Sequence, residues 1–444
     1  MKKKFVIIIV IAFVIILLGY VFFAMTKKPK ESIINEAIKE EQTIILEKIG
    51  LTRRPTPDFV QALYLTAYTV SNTNKFETIL QRAKISGINT IVFDIKEMEG
   101  YVSHPIKDNP NIKYLNQNIV WDIDDIVKRI HSHDMVAVVR IVQFFNISSA
   151  KMHQNLLIEH KGGGYWHEKP ARPTWLDPSL PAVQSDLIAL IDILGKTNVD
   201  EIQLDYVRFP TEGNLANASF YFERENAKHM QDSTYIKKEK RHVISNYLQD
   251  LNKVCKENNV RLTADIFAIV AWQHNIDIKN TGQDIAMMTP YLSQLHPMIY
   301  SSHFASNFNY RSDDFYNKPY SIVKEGLLLA KEKTAPNCLV IPYLQAFSWK
   351  VNYTKQYLFD QFRATVDSDC KGYILWNAGN NYNRTLDWVR EWNNPNTYTA
   401  PTEHKDTDSN KKPIKETTPQ KPDSLKHESK VDSLKHTDED QSQQ

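Results

Sequence analysis

The chain has 444 residues, with 54 lysines and arginines against 52 aspartates and glutamates, a formal charge of +2 at neutral pH. So small an imbalance creates no global field for nucleic acid. The three cysteines, Cys255, Cys338 and Cys370, stand far apart with no CxxC pair, which argues against a metal knuckle or a disulfide framework, and Cys338 reads as a small buried side chain.

In chain order, the first element is a continuous apolar run from Phe5 to Met25 behind Lys2, Lys3 and Lys4. About 20 apolar residues suffice to cross a bilayer as a helix. The run is longer than a usual signal-peptide core, and no A-x-A site follows it. Residues 1–30 are therefore expected to form an uncleaved N-terminal transmembrane anchor, with a cleaved signal as the alternative. Lys27, Lys28 and Lys30 nearly balance the leading lysines, so charge does not set the orientation. Residues 31–56 combine helical periodicity with many charges and read as a juxtamembrane stalk, broken by TRRPTPDF at Thr52 to Phe59. At the other end, residues 401–444 are crowded with Lys, Asp, Glu, Ser, Thr and Pro and repeat DSLKH at Asp423 and Asp432. Such a segment buries too little apolar area to offset its chain entropy, so a disordered tail is expected.

Between these limits, residues 57–400 alternate two patterns. Apolar runs at Ala62 to Tyr68, Thr90 to Lys96, Met135 to Phe144, Glu201 to Val207, Leu262 to Phe267, Leu295 to Tyr300, Leu339 to Phe347 and Gly372 to Asn377 read as eight strands. Helical patterns such as KFETILQRAKISG, WDIDDIVKRIHSHD, QSDLIALIDILGK and YSIVKEGLLLAKEK lie between them. Eight strands with crossover helices predict an α/β fold, a (β/α)8 TIM barrel, with a doubly wound open sheet as the alternative. Connections from helix to strand are short. Those from strand to helix are long at Met98 to Val120, Asn146 to Pro181 and Thr211 to Lys237. Long loops at the strand C-termini build a cleft over the barrel mouth, where this fold places its sites.

Side chains alternate along a strand, so the polar residues can be assigned to faces. Asp94 and Lys96 share a face on the second strand; Asp205 ends the fourth, with Arg208 beyond it; Asp265 lies on the fifth, beside Asp205. Arg140 on the third strand and His296 or Tyr300 on the sixth add charge and hydrogen-bond partners. For Arg140 and Lys96, a buried structural ion pair and a substrate contact remain equal readings. Adjacent carboxylates with basic neighbours hold different pKa values, as one acid and one nucleophile or base require. Trp166, Trp175, Trp272, Trp349 and Trp376 fall after strands or in the third loop. Flat C–H faces of sugar rings stack on such side chains, so a carbohydrate suits this mouth, and Trp376 in particular should point into it. A metal-dependent site is not supported, because neither His296 nor His303 sits in an HxxxH or HxH spacing.

The segments LYLTAYTVSN, INTIVFDIKEMEGYV, VVRIVQFFN, WLDPS, DEIQLDYVRFPTEG, LTADIFAI, GQDI, HPMIYSSHF, PYLQAF and GYILWNAGNNY occur in that order across Gln61 to Tyr382. Together they resemble a bacterial glycoside hydrolase family catalogued as a TIM-barrel domain of unknown function and distantly similar to the α-amylase group. The resemblance implies an aspartate nucleophile after the fourth strand, here Asp205, and an acid after the fifth, here Asp265. Amylase acids are normally glutamate, and this departure keeps Asp94 and Glu97 as further candidates. Chitinases of the D-x-x-D-x-D-x-E type are a poor match, since alignment on Asp200 and Asp205 puts Gln203 and Val207 at the middle aspartate and the acid.

The expectation is an envelope-anchored glycoside hydrolase outside the cytoplasmic membrane, held there through residues 5–25. It needs no cofactor, and Arg208 would keep Asp205 ionised. Lys96, Arg140, Tyr300, His303, Gln345 and Trp376 would line the sugar site. The rival from another class is a non-catalytic glycan-binding or scaffold barrel.

Overall fold

Eight parallel strands follow one another around a closed sheet: β1 (Val60–Leu65), β2 (Thr90–Lys96), β3 (Val136–Val142), β4 (Glu201–Asp205), β5 (Arg261–Phe267), β6 (Gln294–Met298), β7 (Leu339–Val340, resuming as Tyr343–Gln345) and β8 (Gly372–Trp376). They belong to a computed structural model that describes residues 53–394, except 107–108, 119–120, 170–173, 273, 306–307 and 309–315. The apolar run at 5–25, the stalk up to residue 52 and the tail lie outside the described residues. Among the described residues, no helix is long and apolar enough to cross a membrane.

Each strand pairs with the next, and β8 returns to β1 through the register Val60↔Gly372 to Leu63↔Leu375. That closure makes the sheet a (β/α)8 barrel and excludes the open doubly wound sheet. β7 is interrupted at Ile341 and Pro342 because proline has no N–H for the ladder; its carbonyl still accepts from the Ile374 N–H at 2.8 Å.

The outer layer is built by α1 (Thr73–Ile85), α2 (Ile123–Ser132), α3 (Pro181–Gly195), α4 (Lys240–Glu257), the short α5 (Asn275–Thr281) and α6 (Ile285–Met288), α7 (Lys318–Lys333), α8 (Lys355–Asp367) and α9 (Asn383–Trp392). Helix α2 illustrates the local logic. Asp122 caps it by accepting from the Asp124 N–H, and Ile123, Ile126, Val127 and Ile130 recur at helical spacing and are buried. Two apolar cores result. One lies between sheet and helices; a smaller one fills the barrel with Val60, Ala62, Val92, Val138 and Ile374.

The two ends of the described chain meet the same face, at the N-terminal ends of the strands. Arg53 donates to the carbonyls of Val199, Gly195 and Asn258, and the Arg54 N–H bonds Asp200. Asp200 also accepts from the Ala137 N–H at 2.7 Å and contacts His131 at 2.8 Å. At the other end, Asn393, which caps α9, donates to Gln61 at 2.8 Å and to the Ser86 carbonyl at 3.0 Å. The opposite face carries the long loops. A two-stranded antiparallel ribbon, Glu159–His160 with Ala218–Ser219, joins the loop after β3 to the loop after β4.

Candidate active site

The strand ends on the loop side place a chain of charges across the mouth. Arg140, near the end of β3, faces Asp94 on β2 and, through its neighbour β4, Asp205. Its Nη1 donates to Asp94 Oδ1 at 2.5 Å, while Nη2 and Nε donate to Asp205 Oδ2 at 2.5 and 3.1 Å. Burial opposes a charge on Arg140, but the two aspartates more than offset this and hold the guanidinium well above its ordinary range. Arg140 makes the buried ion pair that one of its two sequence readings expected. Asp205 Oδ1 accepts from the N–H of Tyr206 at 2.6 Å. That contact depends on Tyr206 adopting φ 51°, a left-handed conformation that is strained for an aromatic residue and ends β4 at Asp205.

Arg208 does not serve Asp205 as expected. Its guanidinium lies over Phe267 at 3.8 Å, Trp175 at 4.8 Å and Tyr206 at 5.1 Å, and it donates to the Phe209 carbonyl at 2.9 Å. Arg208 braces the loop aromatics, and the counter-ion of Asp205 is Arg140.

Asp265 stands beside Asp205 on the neighbouring strand. Its Oδ2 is 4.0 Å from Arg140 Nε, the same atom that is 3.1 Å from Asp205 Oδ2, so the two oxygens are at most about 7 Å apart, the sum of the two. Gln203 donates to Asp265 Oδ1 at 2.6 Å and contacts the Tyr343 hydroxyl at 2.7 Å. Burial, then the charge of Asp205, hold the Asp265 carboxyl well above the usual carboxylate range. Both effects favour the neutral form of the group, but its side chain has 0% exposure. As it stands, it cannot touch a glycosidic oxygen.

A register shift between Asp94 and Lys96 changes the face of β2: Asp94 opposes Arg140, yet Lys96 opposes Ile141. The extra residue turns Lys96 to the side away from Asp94. There its Nζ donates to the carbonyls of Val142 and Gln143 at 2.5 and 3.4 Å, and burial brings it down to about 7. The expected acid and base sharing one face of β2 are therefore separated. Glu97 takes the place beside Asp94, where the two carboxyl groups are hydrogen-bonded. Asp94 also accepts from the Tyr64 hydroxyl at 2.5 Å and from Arg140, so the shared proton belongs to Glu97. Glu97 accepts from the Ala67 N–H at 3.0 Å. Burial, and next the charge of Asp94, raise it to about 7. Unlike Asp265, it is only partly buried.

The aromatic wall adjoins Asp94 through Tyr64. Trp376 stacks on Tyr64 with centroids 6.1 Å apart and packs against Tyr300 at 5.5 Å and Phe347 at 5.2 Å. His303 meets Trp349 edge-on at 4.5 Å. Trp376, Trp349 and His303 are partly open, while Tyr300 is buried with its hydroxyl unpaired. Gln345 is consumed by the fold: its amide donates to the Phe347 carbonyl at 2.9 Å, and its oxygen accepts from Tyr357 at 2.9 Å. Trp166 and Trp272 are core residues, bonded through Nε1 to the Asn214 carbonyl and to Glu325, and Trp175 is buried under its loop. His296 is buried, bonds the Ile341 carbonyl and is pushed down to about 4, which keeps it neutral. Sequence reasoning overlooked Tyr64 and Phe347. The signal for Tyr64 was its alternation with Ala62 on β1, which places both inside the barrel.

The family profile described as "Putative glycosyl hydrolase domain" matches residues 62–382. Among solved structures, the PgaB (BpsB) glycoside hydrolase domain of Bordetella bronchiseptica aligns over 75% of this chain and 98% of its own, at 9% identity and a TM-score of 0.58, so the two share the barrel fold. A hypothetical protein from Ruminiclostridium thermocellum is 26% identical over 46% of this chain and 96% of its own, with a TM-score of 0.38. The catalytic domain of a Paenibacillus polymyxa beta-amylase is 12% identical over 75% of this chain and 95% of its own, with a TM-score of 0.49. No curated protein matches the chain. With more than two thirds of its length inside the profile, the chain belongs to this glycosyl hydrolase domain family.

Proposed function

We propose that the protein hydrolyses glycosidic bonds of a glycan seated between the aromatic wall and the carboxylates of the mouth. Asp205 acts on the anomeric carbon, directly in a retaining course or through a water in an inverting one. Glu97 gives its proton to the departing sugar oxygen; in the retaining course it then takes one from the incoming water, whereas in the inverting course Asp205 takes that proton. Trp376 stacks on a sugar face. The observation that carries this reading is the division of labour at one mouth: a carboxylate held by Arg140 and a backbone N–H, and a second, partly open carboxyl that keeps its proton to about pH 7. Asp265, expected to be the acid, is fully buried beside Asp205, where burial and the Asp205 charge favour its neutral form.

Screening the protein against glycans, with proton NMR of the first product, tests the proposal. Asp205→Asn should lose turnover and keep the fold. A glycan that binds but is never cut would favour the scaffold reading. The apolar run at 5–25 supports attachment to the cytoplasmic membrane; a catalytic domain on its outer side would be cut by protease on intact cells, and one on the inner side would be protected.

A further inference from the structure

The loops after β7 and β8 enclose a groove of about 390 Å³ on the outer side of the aromatic wall. Phe347, Tyr353 and Trp388 give it apolar faces, and Asn377, Asn381 and Arg384 give it polar edges. Phe347 belongs to both compartments: it lines the groove and packs against Trp376 and Tyr300 in the mouth at 5.2 and 5.8 Å. Asn377 follows Trp376 directly, so a chain lying on Trp376 continues into the groove. The volume suits one or two sugar rings.

The charge in the groove is one-sided. No aspartate or glutamate lines it. Arg384 is exposed and makes no hydrogen bond or ion pair among the described residues. The nearby Asp387 is already engaged by Arg82 at 3.5 Å and Arg390 at 3.7 Å. Arg384 is therefore a free planar fork beside aromatic faces, the arrangement that recognises a carboxylate or phosphate on an otherwise stackable ring.

We propose that this groove binds a second unit of the same glycan, away from the cleavage point, and that this unit carries an anionic group held by Arg384. The inference rests on the glycosidase reading for its substrate and adds that the substrate is an acidic oligosaccharide or polysaccharide.

The test uses the full chain carrying Asp205→Asn, so that ligands are bound and not consumed. Binding is measured by calorimetry at low salt with uronate-containing oligosaccharides, their carboxyl-reduced neutral counterparts, and phosphorylated oligosaccharides. At least one acidic set should bind. Adding Arg384→Gln should weaken that set tenfold or more and leave the neutral set unchanged, and the set that responds identifies carboxylate or phosphate. Failure of every acidic set to bind overturns the proposal, as does equal binding with and without Arg384. Arg384-dependent binding to an intact chain that never cuts the bound glycan would leave the groove standing and defeat the hydrolase reading alone.

Discussion

Replacing Glu97 with Gln probes the assignment most directly. A glutamate at its ordinary 4.5 would be protonated in roughly 0.3% of molecules at pH 7. Raised to about 7, Glu97 is protonated in about half, a gain of roughly 150-fold in the competent acid. In 13C NMR of glutamate-labelled protein, the Glu97 carboxyl should titrate near 7. Asp94→Asn should lower that value only part of the way, because burial contributes more to the rise than the Asp94 charge does. The alkaline limb of kcat/KM should fall near pH 7 and vanish in Glu97→Gln, whose rate drops by about 10² to 10⁴ on poor leaving groups and less on activated aryl glycosides. Stability carries the same signature. The folded chain keeps the Glu97 proton between pH 4.5 and about 7, where the unfolded chain has lost it. This contribution, up to about 3 kcal/mol, is complete below pH 4.5 and disappears as pH rises through 7. Burial of neutral His296 acts with opposite sign between about 4 and 6.5, so the wild-type minus Glu97→Gln difference isolates the glutamate. A Glu97 carboxyl titrating near 4.5, or an alkaline limb that survives in Glu97→Gln, would refute the reasoning.

Asp205→Asn should reduce turnover at least 10³-fold with an unchanged circular dichroism spectrum, and azide should restore a glycosyl azide product if the course is retaining. Arg140→Leu leaves Asp94 and Asp205 buried without their counter-ion and should cost about 3–5 kcal/mol in urea unfolding. Arg53→Ala removes donors from three carbonyls and should cost about 1–3 kcal/mol without changing kcat. Gly100→Ala should unfold more readily still, since its Cβ would stand 1.8 Å from Asn146 Oδ1 at a φ of 89°.

The barrel was legible because its signals are local. Apolar strands, crossover helices and the asymmetry of loop lengths each read out within a few residues, and all eight expected strands overlap an observed one. The site was legible only where strict alternation held. Asp94, Asp205 and Asp265 fell on the interior face as counted. On β2 a single extra residue reversed the parity, hiding Lys96 and presenting Glu97. No periodic pattern contains that bulge. Arg208 was misplaced for a related reason: Tyr206 turns the chain into the left-handed region two residues earlier, so alternation had already ended. The expected tryptophan rim shrank because an indole near a strand end serves a loop core as readily as a ligand. Partners such as Glu325 for Trp272 are 53 residues away in sequence.

Both ends of the described chain are fastened behind the barrel, Arg53 under β4 and Asn393 under β1 and β2. A tether at either end therefore pulls on the closed rear and leaves the front unobstructed. Immobilised through either terminus on a bead or a sensor surface, the domain would turn its mouth toward the solution, where a polymer too large to diffuse behind it could still be reached.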